Sequence, residues 1–474
     1  MKQVHFLVLA IIVLASVPAF RAYGDGLAFE TLPPSMIGTV NATLSIGTSP
    51  FLVNNTQVGT QLNMVLMDVH TQQPIPDVTL DISGFKGQTP VFAHIFKSDS
   101  GNFILNFYPA TLGQTTFNEK GGILSSLFGQ DSGTYDVKGP VFKNGGLYRF
   151  KIEVMTMGAY DNQVSKSYDA GISIPEYYNL TINDPQYGKN QVQIIAYYDQ
   201  LHGVRYDQAT KFINFTMPFD WSQKNIGQLT VVHQEIRIPR TLGVLLATKY
   251  DAYVNNLKIP DKLISIDDYS LTSYRIVHLI LYRSDVQTLL SEQNNPGNVM
   301  DFALHPSNET GFPIVQFTKN AQYKVDLSWY PAVILPGATE RFNFRVVDPF
   351  TVNSTVPPIP YDFSVLSGGN RIIYHKTGRT AESPSGNNLS VDFPSNYTGP
   401  ITIAFENLNG SSFASTEFQT TVSLPPAAGS SPRQVAGSAV PEFPGGSLVA
   451  LTGLAILAII LSQFQTIRTC RCNS

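Results

Sequence analysis

The sequence predicts an all-β chain, folded into tandem sandwich domains between two membrane-directed ends. Strictly alternating runs, frequent turn residues and a scarcity of helical periodicity carry that reading. In Tyr148-Arg-Phe-Lys-Ile-Glu-Val154 every even position is apolar and every odd one charged, and Arg341-Phe-Asn-Phe-Arg-Val346 repeats the alternation. Tyr323-Lys-Val-Asp-Leu-Ser-Trp329 does the same with its odd positions inward. Period two over such lengths describes half-buried strands with one wet face. The 36 glycines and 31 prolines punctuate these runs as turns. One short helix is expected over 285–292, where Ser284 and Gln287 fit a capping box ahead of Leu289 and Leu290.

At the N-terminus, Lys2 precedes an apolar run over 6–19, with small residues following at Val17-Pro-Ala19 and Ala22-Tyr-Gly24. That is the pattern of a signal peptide, assigned to 1–24. A first β-sandwich domain follows over 25–177. It opens an internal repeat: a strand ends at Asp68, Pro74-Ile-Pro76 leads into Val78, Leu80 and Ile82, and glycines at 84 and 87 precede Val91-Phe-Ala-His-Ile-Phe96. The same order recurs late in the chain. A strand runs into Asp348, Pro358-Ile-Pro360 leads into Tyr361, Phe363 and Val365, and Gly368-Gly369 precede Ile372-Ile-Tyr-His-Lys376. Short strands at such spacing are the sequence form of an immunoglobulin-like sandwich, which places a second copy at 321–424.

The first copy alone carries a long insertion, 110–138, with Ile123, Leu124, Leu127 and Phe128 close together. Connections of this length are usually functional or disordered. Its apolar content makes it a candidate partner-binding loop. Between the copies, 178–320 reads as a middle β-rich domain, with strands near 191–198, 211–217, 229–238 and 273–282.

Past the second copy, 425–440 shifts to Pro, Ala, Gly and Ser, which makes a flexible stalk. The run 447–467 carries no charge, and Arg468 and Arg471 follow it. About 20 apolar residues span a bilayer as a helix, and flanking basic residues mark the cytoplasmic side. The expectation is a type I protein: ectodomain outside the cell, one transmembrane helix, and a cytoplasmic tail of 468–474. Nine Asn-x-Ser/Thr acceptor sites suit an exported glycoprotein, at Asn41, Asn54, Asn179, Asn214, Asn308, Asn353, Asn388, Asn396 and Asn409.

Between stalk and span stands Pro441-Glu442-Phe443-Pro444-Gly445. An interfacial aromatic belt accounts for Phe443 but gives Glu442 no role. The order of stalk, Pro-Glu-Phe, span and basic tail resembles the PEF-type C-terminal sorting signals of archaeal exported cell-surface proteins. With glycine close behind, it is similar to the variant found in ammonia-oxidising archaea. The resemblance implies that a membrane transpeptidase-like enzyme recognises Glu442 and Phe443 and processes the tail. Pro444 intervenes here before Gly445. The ectodomain resembles the immunoglobulin-like modules of such proteins.

Composition excludes several function classes. A net charge of −4 with 14% charged residues gives no nucleic-acid footprint. The two cysteines, Cys470 and Cys472, lie in the tail, so the ectodomain has no disulfide, cysteine nucleophile or cysteine-ligated metal. No Gly-x-Ser-x-Gly elbow and no phosphate-cradling Gly-x-x-x-x-Gly-Lys-Ser/Thr loop occurs. The expected function is a non-catalytic cell-surface module for binding, adhesion or envelope architecture. It is held by the membrane, needs no cofactor, and takes envelope or surface-layer proteins or glycans as partners.

The alternative is an exported metal-binding or hydrolytic protein with its site in the middle domain. His233 and Glu235 share one strand face, with Arg237 two further on, and His278 lies on another strand. Imidazole and carboxylate two apart on a strand can reach one ion. The plainer reading is a wet face for the first pair and a hydrogen-bonded core histidine for His278. His202 follows Asp199 in a tyrosine-rich turn, and His94 and His375 fall at matching places in the repeat, where they read as structural.

Overall fold

A computed structural model describes residues 29–423, save 54–56, 111–112, 121–132, 294–295, 351–355, 369 and 382–385. The expected signal peptide, stalk, sorting motif, span and tail lie outside these residues. Among those described, no helix is long and apolar enough to cross a membrane.

The chain is all-β, as the alternation predicts. The first sandwich comprises β1 (Phe29–Thr31), β2 (Ser35–Ile37), β3 (Val40–Val53), β4 (Gln57–Asp68), β5 (Val78–Lys86), β6 (Thr89–Ser98), β7 (Asn102–Pro109), β8 (Thr116–Glu119), β9 (Thr134–Gly139), β10 (Gly146–Thr156) and β11 (Gln163–Ile174). One sheet runs β1-β3-β4-β7-β9-β8 with β2 beside β3, and the other runs β11-β10-β5-β6. Along β10, Tyr148, Phe150, Ile152 and Val154 are buried and Lys151 and Glu153 exposed, so the period-two pattern sets its faces.

The middle sandwich comprises β12 (Glu176–Asp184), β13 (Gly188–Ala196), β14 (His202–Asp207), β15 (Phe212–Pro218), helix α1 (Gln223–Gln228), β16 (Val231–Pro239), β17 (Tyr250–Val254), β18 (Leu257–Lys258), β19 (Ile264–Asp267), β20 (Tyr274–Tyr282), helix α2 (Arg283–Glu292) and β21 (Val299–Pro306). Its sheets run β12-β13-β16-β20-β19 and β14-β15-β21-β17-β18. Helix α2 begins earlier than the sequence suggests. Its cap is Tyr282, whose N–H donates to Asp285 at 3.0 Å, in place of the Ser284–Gln287 box. The reason is that β20 runs directly into the helix. Helix α1 was not expected from the sequence; Ser222 caps it by accepting from the Asn225 N–H.

The third sandwich comprises β22 (Ile314–Phe317), β23 (Lys324–Tyr330), β24 (Thr339–Val347), β25 (Pro360–Ser367), β26 (Ile372–Arg379), β27 (Asn387–Asp392), β28 (Gly399–Glu406) and β29 (Thr416–Val422). Its sheets run β22-β23-β24-β27 and β26-β25-β28-β29. Strand β22 pairs with β23, so this domain starts before the expected boundary at 320. The internal repeat is a repeat of topology. β3-β4-β7 in the first copy matches β23-β24-β27 in the third, and β11-β10-β5-β6 matches β29-β28-β25-β26. The expected insertion is only partly loop, since it contributes β8 and β9, with β9 parallel to β7. Ile123, Leu124, Leu127 and Phe128 lie outside the described residues.

Each sandwich has its own apolar core. Phe96, Phe103, Phe107 and Phe150 are fully buried in the first, and Phe342, Phe344, Phe363, Phe405 and Phe418 in the third. Fully burying a side chain of this size contributes about 1.5–3 kcal/mol.

Two polar joints connect the cores. At the first, the Lys86 ammonium meets Asp199 at 3.2 Å and donates to the Gly145 carbonyl at 2.7 Å. The Leu147 N–H donates to the Tyr198 carbonyl at 2.7 Å. Gly146 sits between them at φ +108, where a Cβ would stand 2.1 Å from Lys86 Nζ and 2.5 Å from the Tyr198 oxygen, so only glycine fits.

The second joint is deeper. Arg275 and Asp268, both of the middle domain, are fully buried. Arg275 Nε and Nη2 donate to the two Asp268 oxygens, each at 2.7 Å, and Nη2 also donates to the Gln419 carbonyl on β29. The Gln419 N–H returns to Asp268 at 2.8 Å. Around this knot, Arg240 pairs with Glu417, Thr421 donates to the Gly243 carbonyl at 3.1 Å, and Gln316 donates to the Ile266 carbonyl at 3.1 Å.

One buried acid is left alone. Glu340, on β24 beside the inward Phe342 and Phe344, is fully buried, and neither carboxylate oxygen has a hydrogen-bond partner among the described residues. Burial pushes its carboxyl up to about 7, from an ordinary 4.5.

Two predictions follow from these buried groups. Arg275→Met leaves the buried Asp268 without its counterion, a loss of about 3–5 kcal/mol in the joint. Calorimetry should then resolve the middle and third domains as separate transitions where the parent melts with them coupled; unchanged melting would show the joint to be unimportant. Glu340 titrates higher folded than unfolded, so the folded state holds the extra proton between pH 4.5 and about 7. Its fit is best below that window and is lost as pH rises through it. Glu340→Gln should stabilise the chain at pH 8, by at most about 3 kcal/mol, and hardly at pH 4. Paired melting curves at the two pH values measure the difference, and an equal effect at both would refute the assignment.

Candidate functional site

Strand β16 reads Val231-Val-His-Gln-Glu-Ile-Arg-Ile-Pro239. Val232, Gln234, Ile236 and Ile238 are buried toward the core, which turns His233, Glu235 and Arg237 to the other face. Strand β20 pairs with it antiparallel, with Glu235 opposite His278 and His233 opposite Ile280. On the other side β13 sets Ile195 opposite Glu235. The three residues singled out as metal ligands therefore converge. Their ligand atoms lie within 4.8 Å of one another, and His233 Nε2 faces His278 Nδ1 at 3.0 Å.

The surroundings fix each group. The Tyr197 ring stacks on His233, with centroids 4.8 Å apart and planes 5° apart. Its hydroxyl donates to Glu235 Oε1 at 2.8 Å, while Arg237 Nη2 donates to Oε2 at 3.0 Å. Glu235 is only 8% exposed although it sits on the outward face, because its neighbours close over it. Ile195 and Ile276 beside it are buried too. The patch buries its carboxylate but leaves both imidazoles half-buried on the sheet surface.

Burial, reinforced by the neighbouring His278, pushes the His233 imidazole down to about 3, so it is neutral at neutral pH. Burial alone would raise Glu235. The His278 ring, the Tyr197 hydroxyl and Arg237 together outweigh it and hold the carboxyl below its usual range. Burial, and the carboxylate of Glu235 beside it, raise the Tyr197 hydroxyl, which keeps it a donor. The result is a neutral imidazole and an ionised carboxylate, the protonation states in which these groups ligate a metal.

The other histidines lie elsewhere. His202 is exposed at the start of β14, in the opposite sheet. His94 stacks on Phe117 with centroids 4.1 Å apart, and His375 Nδ1 stands 3.0 Å from the Ser364 hydroxyl. Of the acceptor asparagines, Asn54 and Asn353 lie outside the described residues, and the other seven are exposed or half-buried. Sequence reasoning missed Tyr197. Nothing in its local pattern marks it, because its role depends on which strand lies beside β16.

No protein-family model matches the sequence, and no curated protein does. Among solved structures, dimeric latent PorU from Porphyromonas gingivalis is similar over 84% of this chain and 34% of its own, at 9% identity and a TM-score of 0.17. A β-glucuronidase from Ruminococcus gnavus is similar over 67% and 47%, at 9% identity and a TM-score of 0.16. The BSP domain of a biofilm-associated protein is similar over 85% and 83%, at 8% identity and a TM-score of 0.14. The chain thus spans about a third of PorU and about half of the glucuronidase, and superpositions this loose carry no functional argument.

Proposed function

We propose that this chain is a membrane-anchored extracellular module that binds or bridges envelope components and catalyses nothing itself. In this reading 1–24 directs export, the three sandwiches stand outside the membrane, 425–440 is the stalk, 447–467 the span and 468–474 the cytoplasmic tail. Glu442 and Phe443 belong to a sorting signal of the archaeal PEF type. The observation that carries the proposal is the second joint, in which a fully buried Arg275–Asp268 pair is completed by the Gln419 backbone of the next domain. Domains within one chain ordinarily move against one another unless their interface is extensive. A buried ionic knot resists that motion, which suits an arm that holds a binding surface at a set distance from the membrane. Accessible acceptor asparagines on all three sandwiches suit an exported chain. Envelope proteins, surface-layer proteins and glycans are the partner classes.

Protease added to intact cells should remove the ectodomain and leave only a short membrane-bound remnant; full protection would overturn the topology. Glu442→Ala should block maturation of the tail. Intact mass spectrometry would then find Cys470 and Cys472 in the variant and not in the parent. A parent that retains Cys472 would reduce the motif to a plain anchor.

A further inference from the structure

We propose that the outward face of β16 and β20 binds one late first-row divalent metal ion, Zn2+ or Cu2+, through His233 Nε2, His278 Nδ1 and a carboxylate oxygen of Glu235. This stands apart from the anchoring and bridging role above and on different observations. The ligand atoms already lie within 4.8 Å of one another. Two nitrogens on one tetrahedral ion, with bonds of about 2.0–2.1 Å, stand about 3.3 Å apart. His233 Nε2 and His278 Nδ1 are at 3.0 Å and need to open by only a few tenths of an ångström, while the Glu235 carboxylate, which sets the 4.8 Å spread, closes on the ion by about 1.5 Å.

The competing account is that these rings share a hydrogen bond and need nothing more. Three features favour the ion. First, the ligands come from β16 and β20, inner strands of a five-stranded sheet flanked by β13 and β19, and rigid elements hold ligand geometry better than loops do. Second, Glu235 keeps capacity to spare. Its oxygens accept one bond each from Tyr197 and Arg237, and a carboxylate oxygen has two lone pairs, so either can still face an ion. Third, the set is completed by groups that orient ligands. Tyr197 stacks on His233 and donates to Glu235, as outer-shell partners of metal ligands commonly do.

Two imidazoles and one carboxylate select borderline ions over Ca2+ or Mg2+, which prefer all-oxygen sites. His233 and His278 are only half-buried, which leaves a fourth position open to water or to a partner's side chain. Tyr197 is a positioning residue here, acting through Glu235.

The test uses the full chain carrying Cys470→Ser and Cys472→Ser, so that tail thiols cannot take up the ion. After chelation and dialysis it is titrated with ZnCl2 alone and with CuCl2 alone. One equivalent should bind. Glu235→Gln and His278→Ala should each weaken binding by more than about 100-fold, and Tyr197→Phe by about tenfold, in the range of outer-shell substitutions. Melting curves without metal identify any variant that fails to fold, and the isosteric Glu235→Gln keeps the question open to decision if His278→Ala does. No uptake by the parent, or equal affinity in parent and Glu235→Gln, overturns the site. Full affinity in Tyr197→Phe overturns the positioning role alone.

Discussion

The Arg275–Asp268 pair governs how the chain is put together. A guanidinium and a carboxylate taken wholly out of water are tolerable only when nearly every donor and acceptor is matched. Here the matching is shared between domains: both charges come from the middle sandwich, and the closing hydrogen bonds come from Gln419 of the third. Neither domain alone satisfies the knot. The same strand that carries Arg275 inward carries His278 outward three residues later, so joint and candidate metal site sit on one rigid element. Register links them, because slipping β20 by one residue would exchange its two faces, turning Arg275 out of the joint and His278 into the core.

Two buried charged residue types meet opposite fates in neighbouring sheets. Arg275 keeps its charge because the fold supplies a counterion and carbonyls. Glu340 has no such company, and the cheapest solution is to keep its proton. The middle sandwich thus binds its neighbour by satisfying an ion completely, while the third accepts a neutralised acid against Phe342 and Phe344. Both are consequences of the same desolvation cost.

Much of this was legible in the sequence, and the illegible part has a common cause. Alternation in Tyr148–Val154 and Arg341–Val346 fixed which side chains face inward, and the structure agrees. Extending the second pattern back one inward step reaches Glu340, and the inward column of Val277 and Leu279 extends back to Arg275. Both exceptions could therefore have been flagged as charges at core positions. What completes Arg275 could not, since Gln419 lies 144 residues beyond it, and the turn that lays nearby Asp268 against the guanidinium is set by packing. The candidate site divides likewise: His233 and Glu235 are two apart on one strand, whereas the approach of His278 and Tyr197 depends on strand order. Helix α1 escaped notice because six residues carry too little periodicity to stand out.

The shared topology of the outer sandwiches carries one more consequence. In the third, β27 ends its sheet among the described residues, and an unpaired sheet edge offers a row of amides and carbonyls to any passing strand. In the first, the equivalent β7 is covered, because the insertion lays β9 alongside it in parallel and β8 beyond. One copy is shielded from runaway strand addition by extra protein. The other relies on brevity and polarity: β27 is the six-residue Asn-Asn-Leu-Ser-Val-Asp, whose exposed positions are polar and whose Asn388 heads an acceptor sequence for a glycan. Two sheets of the same topology thus limit strand addition by different means, one by building outward and the other by ending early.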